Sequence, residues 1–280
     1  MKDSEQDKPL VSIVIPVKNG MPYLKKCIES VSRQAISNLE VIISDDHSTD
    51  GSREFLETLN PDIFKVITPL HPMSIGEHWT FVTSQAQGQY IKLLCSDDEI
   101  LLGGLHRQVV ALDENPSVQF VASKRNIITT SGKVLIRNFG VGNSSGINNG
   151  MEVLKKSFLS GTNIIGEPSA VLFRRTTLQE NLPWNDSRPY LLDFEMYARI
   201  LIQSNSNIVL LDTTDATFRL HGESLSNRIQ TEHIQDFKQK LKEYSHLLDF
   251  NKAKVLLINT KIIIKTLLRQ LMFWLAKKIG

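Results

Sequence analysis

The stretch VSIVIPVKNG, residues 11–20, joins a run of apolar and β-branched residues to a polar turn. Such a run is typical of a parallel strand that is buried on both faces. Leu24, Ile28 and Val31 follow at helical spacing, so we predict an amphipathic helix over residues 22–34. The stretch therefore predicts one strand–helix unit of an α/β protein.

The same alternation continues towards the middle of the chain. Predicted strands cover residues 39–46, 64–69 and 90–98, and predicted helices cover residues 53–59 and 76–87. Strands that alternate with helices through short connections indicate a doubly wound, mostly parallel sheet flanked by helices. We therefore predict the α/β fold class, with a helical extension on the C-terminal side.

The second half of the sequence has a less regular pattern. Residues 138–150 are rich in Gly, Asn and Ser, which predicts a mobile loop. Helical patterning begins at about residue 229 and is interrupted by a turn near residue 250. The other predicted elements are two strands within 118–136, a helix over 151–159, a strand over 169–175, a helix over 190–203 and one or two strands within 207–221.

The composition, with 280 residues, 41% apolar and 22% charged, is that of a soluble globular protein. A net charge of +2 is too small to indicate nucleic acid as a partner. Cys27 and Cys95 are the only cysteines, which argues against a disulfide framework and favours a cytoplasmic location. We find no signal peptide in MKDSEQDKPL and no uninterrupted apolar run of about 18 residues, so we predict no transmembrane helix.

Three polar clusters follow predicted strands: PVKNG (16–20), SDDHSTDG (44–51) and CSDDE (95–99). Ligands of such sheets bind beyond the carboxyl ends of the strands, so the clusters should converge on one edge. Asp97 and Asp98 are adjacent carboxylates, which repel each other unless a cation or a proton offsets their charge. A hard divalent cation with oxygen ligands fits this pair, and an ordinary solvated turn is the alternative.

The motifs VSIVIPVKNGMPYLKKCIESVSRQ, LEVIISDDHSTDGS, YIKLLCSDDEI and DFEMYARI occur in an order that resembles the family 2 glycosyltransferases. The resemblance implies a GT-A (Rossmann-like) domain over residues 1–225, with a nucleotide-binding part at 10–100 and an acceptor-binding part at 101–225. Residues 226–280 would form the C-terminal extension. It also implies inverting transfer of a sugar from a nucleotide diphosphate to an acceptor hydroxyl, with a divalent metal and a carboxylate base.

The resemblance implies that Pro16, Val17 and Asn19 line the nucleotide pocket. It further implies that one carboxylate of Asp45 and Asp46 accepts a hydrogen bond from the N–H of uracil or thymine. We favour Asp45 for this role, with Asp46 capping the next helix or holding the loop. The alternative is a plain strand-to-helix turn.

By the same resemblance, Asp98 is the ligand of Mn²⁺ or Mg²⁺ and Asp97 lies near the ribose or the donor sugar. His221 would lie near the diphosphate or the metal, where a neutral imidazole is a competent Mn²⁺ ligand. Arg219 is a weaker candidate for the diphosphate and is expected on a surface strand. Cys95 departs from the family pattern, because many members have an Asp at this position.

Asp193 and Glu195 lie two apart on a predicted helix, so only one of them can face the site. The resemblance implies that Asp193 is the general base. Glu195 would then face elsewhere, and its i,i+4 spacing predicts a pair with Arg199. A structural role for Asp193 at the helix N-terminus is the alternative. Glu167 and Ser169 would contact the acceptor or the donor sugar.

In residues 252–280, Lys254, Lys261, Lys265 and Arg269 fall on one helical stripe, and Leu and Ile side chains fall on the other side. Such a helix packs on the domain or a second subunit, or lies in a membrane interface. The second alternative suits a lipid-linked acceptor at the cytoplasmic face of a membrane, and homo-oligomerisation stays open.

The interpretation is a metal-dependent inverting hexosyltransferase that uses a UDP- or dTDP-sugar in polysaccharide or glycan biosynthesis. Closure of residues 138–150 over the donor would exclude water. A non-catalytic nucleotide-sugar-binding partner with the same fold is the alternative, which Cys95 keeps open. A nucleotidyltransferase fits less well, because PVKNGMPYL lacks a Gly-rich phosphate loop.

Overall fold

One nine-stranded sheet forms the centre of the computed structural model, which describes residues 9–142, 144–204, 206–222, 224 and 232–279. The order along the sheet is β3-β2-β1-β4-β8-β5-β9-β7, and β6 pairs with β5. The strands are β1 (Val11–Val17), β2 (Leu39–Asp45), β3 (Phe64–Ile67), β4 (Tyr90–Leu93), β5 (Phe120–Ile128), β6 (Val134–Phe139), β7 (Gly146–Asn149), β8 (Val171–Arg174) and β9 (Asn207–Arg219).

Helices cover both faces of this sheet and α8 and α9 follow it in the chain. They are α1 (Leu24–Ser32), α2 (Ser52–Leu56), α3 (Ile75–Ser84), α4 (Gly104–Asp113), α5 (Gly150–Ser160), α6 (Arg175–Glu180), α7 (Leu192–Ser204), α8 (Glu232–Tyr244) and α9 (Lys252–Ile279). The predicted α/β class with a C-terminal helical extension is confirmed. Sequence patterning did not predict α4.

The N-terminal half of the sheet is parallel, as the sequence predicts. β1 pairs with β2 and β4, and β2 pairs with β3, all in parallel. Every residue of β1 is buried, because this central strand has helices on both faces. Val17 is in register with Asp45, so the polar turns after β1 and β2 lie side by side at one edge.

The second half of the sheet is mixed. β8 lies between β4 and β5 and is antiparallel to both, whereas β9 runs parallel to β5. The predicted loop at 138–150 is wrong in part, since Asn138 and Phe139 end β6 and Gly146–Asn149 form β7. β7 pairs with β9 along the sheet edge, and this backbone pairing overrides the poor strand propensity of Gly and Asn.

α8 and α9 share the hydrophobic core of the sheet domain. Phe237 of α8 stacks on Phe194 at 5.6 Å and meets Phe158 edge-on at 5.4 Å. Ile262 of α9 is fully buried in the same core, and Lys261 Nζ donates a hydrogen bond to the Leu159 carbonyl at 2.9 Å. Among the described residues, no helix combines the length and the apolarity needed to cross a membrane.

Candidate active site

A cavity of about 990 Å³ opens where the parallel strands end at their carboxyl side. This volume is at the upper end of the range for small-molecule sites, about 300–1,000 Å³. The predicted site residues that line the cavity are Pro16, Asn19, Asp46, Asp97, Asp98, Glu167, Asp193 and His221. Three others, Val17, Asp45 and Ser169, are buried and do not line it.

The two carboxylates after β2 point in different directions. Asp45 accepts a hydrogen bond from the Ser48 backbone at 3.3 Å and pairs with Arg53 at 3.3 Å, away from the cavity. Asp46 faces the cavity, where Lys18 Nζ lies 2.7 Å from its Oδ2 and the Met73 backbone donates to its Oδ1 at 3.2 Å. Of the two carboxylates, Asp46 and not Asp45 is therefore the one that a ligand in the cavity can meet.

Asn19 fastens the turn after β1 to the turn after β2. Its φ of 55° is in the left-handed region, which Asn tolerates better than most residues. Its backbone N–H donates to Ser48 Oγ at 2.8 Å, and its Oδ1 accepts from the Thr49 backbone at 2.9 Å. The end of the cavity beside β1 and β2 is thereby held by two linked turns.

Asp98 is fixed by two donated hydrogen bonds. Ser169 Oγ donates to its Oδ2 at 2.7 Å and the Arg219 backbone donates to its Oδ1 at 3.0 Å. Burial raises the pKa of Asp98 well above its usual range, and the neighbouring charge of Asp97 raises it further. Ser169, which the resemblance assigned to a sugar contact, therefore orients Asp98 instead.

Asp97, Asp98 and Cys95 place one potential ligand atom each within 4.8 Å of one another. The two carboxylates suit Mg²⁺ or Mn²⁺, which take few protein ligands and complete their shells with water and phosphate oxygens. Burial raises the pKa of the Cys95 thiol well above its ordinary value, and a sulfur ligand suits these hard cations less well than a carboxylate. His221 Nε2 lies 2.9 Å from Asp97 Oδ2, as expected for a group that orients a ligand carboxylate.

Arg219 lies inside the protein, so the prediction of a surface strand is wrong. Its guanidinium lies 2.5 Å from Glu99 Oε1 and donates to the Asp97 carbonyl at 2.9 Å and the Thr129 carbonyl at 3.0 Å. It also stacks on the ring of Tyr23 at 4.9 Å. Arg219 thus holds the backbone of the turn that carries Asp97 and Asp98.

Asp193 lies in the first turn of α7 and faces the cavity. Its Oδ1 accepts from the Phe194 backbone at 2.6 Å and its Oδ2 accepts from Asn163 Nδ2 at 3.1 Å. Burial, followed by the negative charge of Glu167, raises the pKa of Asp193 to about 7. A carboxylate with this pKa is suited to remove a proton near neutral pH.

Glu195 faces away from Asp193, as the helical spacing predicts, but its partner is a different residue. It forms an ion pair with Lys240 of α8, whereas Arg199 donates to the carbonyls of Asn181 at 2.7 Å and Pro183 at 3.1 Å. The predicted pair of Glu195 with Arg199 is therefore wrong, because α8 brings a cation that local spacing cannot reveal.

Glu167 is half-buried and forms an ion pair with the buried Arg125 at the cavity wall. Arg125 Nε lies 2.5 Å from Glu167 Oε2, and Nη2 donates to Oε1 at 3.2 Å. Gly166 has φ +112°, and a Cβ added there would lie 2.7 Å from Arg125 Nη1. The close approach of the guanidinium therefore requires glycine at this position.

No motif in the sequence pointed to Arg125 or to the cavity residues of α9. Lys265, Leu268 and Arg269 of α9 line the cavity together with Met272. The sequence showed the stripe of cations that includes Lys265 and Arg269. It did not show that they line the cavity, because this helix is far along the chain from the motifs. The C-terminal helix is therefore one wall of the site.

Comparisons with known proteins agree with this geometry. The profile described as Glycosyl transferase family 2 matches residues 12–182. A relative from Campylobacter jejuni, the GalNAc(5)-diNAcBac-PP-undecaprenol β-1,3-glucosyltransferase, is 26% identical over 181 residues. That match covers 64% of this chain and 55% of the relative, so the chain spans little more than half the relative's length.

Solved structures share the fold. S. aureus TarS 1-349 in complex with UDP-GlcNAc has a TM-score of 0.64 at 17% identity, covering 90% of this chain and 71% of that chain. The mannosyltransferase PcManGT from Pyrobaculum calidifontis, in complex with GDP-Man and Mn²⁺, has a TM-score of 0.60 at 14% identity, covering 91% of this chain and 69% of that chain. Because the family model matches residues 12–182, more than half of the chain, the chain belongs to glycosyl transferase family 2.

Proposed function

We propose that the chain is an inverting glycosyltransferase that moves a sugar from a UDP- or dTDP-sugar to an acceptor hydroxyl in glycan biosynthesis. One observation carries the proposal: a single cavity is lined by Asp46, by the Asp97–Asp98 pair and by Asp193. Asp46 would recognise the nucleobase, the Asp97–Asp98 pair would hold the metal beside the diphosphate, and Asp193 would act as the general base. The activity named for the Campylobacter jejuni relative, and the UDP-GlcNAc bound to TarS, support the same class.

Asp46 reads the nucleobase in this proposal. Its carboxylate accepts a hydrogen bond from the ring N–H of uracil or thymine, which cytosine lacks. Lys18 and the Met73 backbone hold the carboxylate in place from two sides. Asn19 and Pro16 shape the wall beside it.

Asp98, with Asp97 beside it, would hold Mn²⁺ or Mg²⁺. The metal supplies Lewis-acid stabilisation of the leaving diphosphate. Ser169 and the Arg219 backbone keep Asp98 in a fixed orientation, and His221 does so for Asp97. Position 95 is Cys and not Asp in this chain, so the carboxylates of Asp97 and Asp98 would supply the protein ligands of the metal.

Asp193 removes the proton of the acceptor hydroxyl as that oxygen attacks the anomeric carbon. Asn163 and the Phe194 backbone orient its two oxygens. Burial and the charge of Glu167 keep the pKa of Asp193 near the operating pH. Arg125 binds Glu167, so that this second carboxylate stays away from the reacting oxygen.

The test is the release of UDP from a panel of UDP-sugars with mixed glycan acceptors, for the wild type and for Asp193→Asn. We expect turnover to fall by about a hundredfold or more in the variant, the range of lost general base catalysis. Binding of UDP should be unchanged. Equal turnover in the two proteins would contradict the assignment, and no turnover with intact UDP binding would favour the non-catalytic alternative.

We further propose that α9 lies on the surface of an anionic membrane. Its outward face exposes apolar side chains, among them Leu256 (70%), Leu267 (58%) and Trp274 (51%). Residues 252–280 contain Lys and Arg but no Asp or Glu. An apolar stripe flanked by cations is typical of a helix at a membrane interface. Two copies of this face would bring like charges together, which disfavours a homodimer through it.

Sedimentation with vesicles tests the membrane proposal. Vesicles of phosphatidylcholine with phosphatidylglycerol should bind the wild type, and vesicles of phosphatidylcholine alone should bind it less. Leu267→Asp should lose binding, whereas Leu70→Asp, at a side chain that is 90% exposed elsewhere, should retain it. Concentration-dependent dimerisation without vesicle binding would contradict the proposal.

A further inference from the structure

Arg269 of α9 carries a buried guanidinium nitrogen that faces the cavity. Its Nη2 donates to Thr162 Oγ1 at 3.4 Å, and its guanidinium lies 5.1 Å from the centre of the Tyr190 ring. Within the described part of the chain, its Nη1 has no hydrogen-bond partner. A planar guanidinium has five N–H donors, and the two on Nη1 are unused among the described residues.

A buried cation without a paired anion is costly. Burial lowers the pKa of Arg269 to about 10, so the side chain is still a cation at neutral pH. Glu167 attracts it from a distance, but Glu167 is already held by Arg125. An anion that enters the cavity would supply the partner that Nη1 lacks among the described residues.

The position of Arg269 places this anion on the acceptor side. Thr162 is followed by Asn163, which orients the general base candidate Asp193. Asp97 and Asp98 mark the proposed diphosphate side, whereas the side-chain hydrogen bond of Arg269 among the described residues leads to the segment that orients Asp193. An anion on Arg269 would therefore be an acceptor group and not the donor diphosphate.

We propose that Arg269 and Lys265 form a subsite for a phosphate group of the acceptor, an inference that rests on the proposed function. The two cations lie one turn apart on α9 and both line the cavity. Arginine binds phosphate through paired N–H donors. Leu268 lines the cavity and is 49% exposed, so the subsite is continuous with the apolar outward face. The ligand class is a phosphate ester or diphosphate of an apolar alcohol.

Calorimetry with octyl phosphate, below its micelle concentration, tests the subsite in full-length protein saturated with UDP and Mn²⁺. Octyl phosphate should bind more tightly than octyl glucoside, and glycerol 3-phosphate should bind more weakly because it lacks the apolar chain. Arg269→Gln should lower the affinity for octyl phosphate by about tenfold or more, because a charge-assisted hydrogen bond is lost. Arg269→Lys should retain part of the affinity, and Lys277→Gln, outside the cavity on the same helix, should retain all of it.

Affinity for UDP should be the same in the wild type and in Arg269→Gln, which also shows that the variant folds. Equal octyl phosphate affinity in the two proteins, or none in the wild type, would overturn the subsite. A parallel loss of UDP affinity would place Arg269 at the donor diphosphate and would also overturn it. Failure of the wild type to bind UDP would contradict the proposed function, whereas the octyl phosphate titration without UDP would still report on Arg269.

Discussion

The raised pKa of Asp193 predicts how the enzyme responds to pH. Burial and the charge of Glu167 raise this pKa to about 7. The unprotonated carboxylate is the form that acts as a base, so activity should increase with pH. From pH 6 to pH 8 the unprotonated fraction grows from about one tenth to about nine tenths, which predicts a rise of about tenfold in turnover.

Glu167→Gln should move this rise to lower pH. The substitution removes a negative charge near Asp193 and releases the cation of Arg125 from its ion pair, and both changes favour the charged form of Asp193. The pKa of Asp193 should therefore decrease. Glu29→Gln, at a carboxylate paired on the exposed surface of α1, is the matched control and should leave the pKa unchanged.

Carbon-13 NMR of the Asp side-chain carboxyl groups measures this pKa directly, and Asp193→Asn assigns the signal. Initial rates of UDP release across the same pH range give the functional profile. A midpoint near pH 4 for Asp193 would refute the reasoning, since it would mean that burial does not control this group. An unchanged midpoint in Glu167→Gln would refute the role of Glu167.

Three other substitutions test the remaining parts of the cavity. Asp46→Asn should lower the affinity for UDP by about tenfold, because a charged acceptor is lost, as measured by calorimetry. Ser169→Ala should weaken the Mn²⁺-dependent part of UDP binding by about tenfold, because Asp98 loses an orienting hydrogen bond. Gly166→Ala should lower the free energy of unfolding by about 1–3 kcal/mol in denaturant titrations, and by more than Gly146→Ala, where a Cβ meets nothing within 4 Å.

Each of these predictions has an outcome that would contradict it. UDP affinity that is unchanged in Asp46→Asn would return the base-reading role to Asp45. A Ser169→Ala protein with wild-type Mn²⁺ dependence would show that Asp98 needs no orienting partner. Equal loss of unfolding free energy in Gly166→Ala and Gly146→Ala would mean that backbone strain, and not the contact with the Arg125 guanidinium, causes the destabilisation.

The sequence was sufficient for the parallel half of the fold because that half is built from local units. Each buried apolar strand is followed by a polar turn and an amphipathic helix, and parallel pairing then brings the turns together. The predicted convergence of Asn19, Asp46 and Asp98 on one cavity follows from this topology.

The rest of the site depends on contacts that the periodicity of one element does not report. The direction of Asp45 is set by the Ser48 backbone and Arg53 in the turn and helix that follow it, and the partner of Glu195 comes from the distant helix α8. β7 is a strand because β9 offers it an edge, whatever its own propensity. Periodicity cannot reveal such pairs, because it reports only on neighbours within one element.

Titration calorimetry of the purified chain with UDP, GDP and CDP, each with and without Mn²⁺, tests the central claim most directly. The account predicts that UDP binds more tightly than the other two nucleotides and that Mn²⁺ strengthens its binding, through Asp46 and Asp98 respectively. Equal affinity for all three nucleotides, or an affinity for UDP that is the same with and without Mn²⁺, would contradict the account.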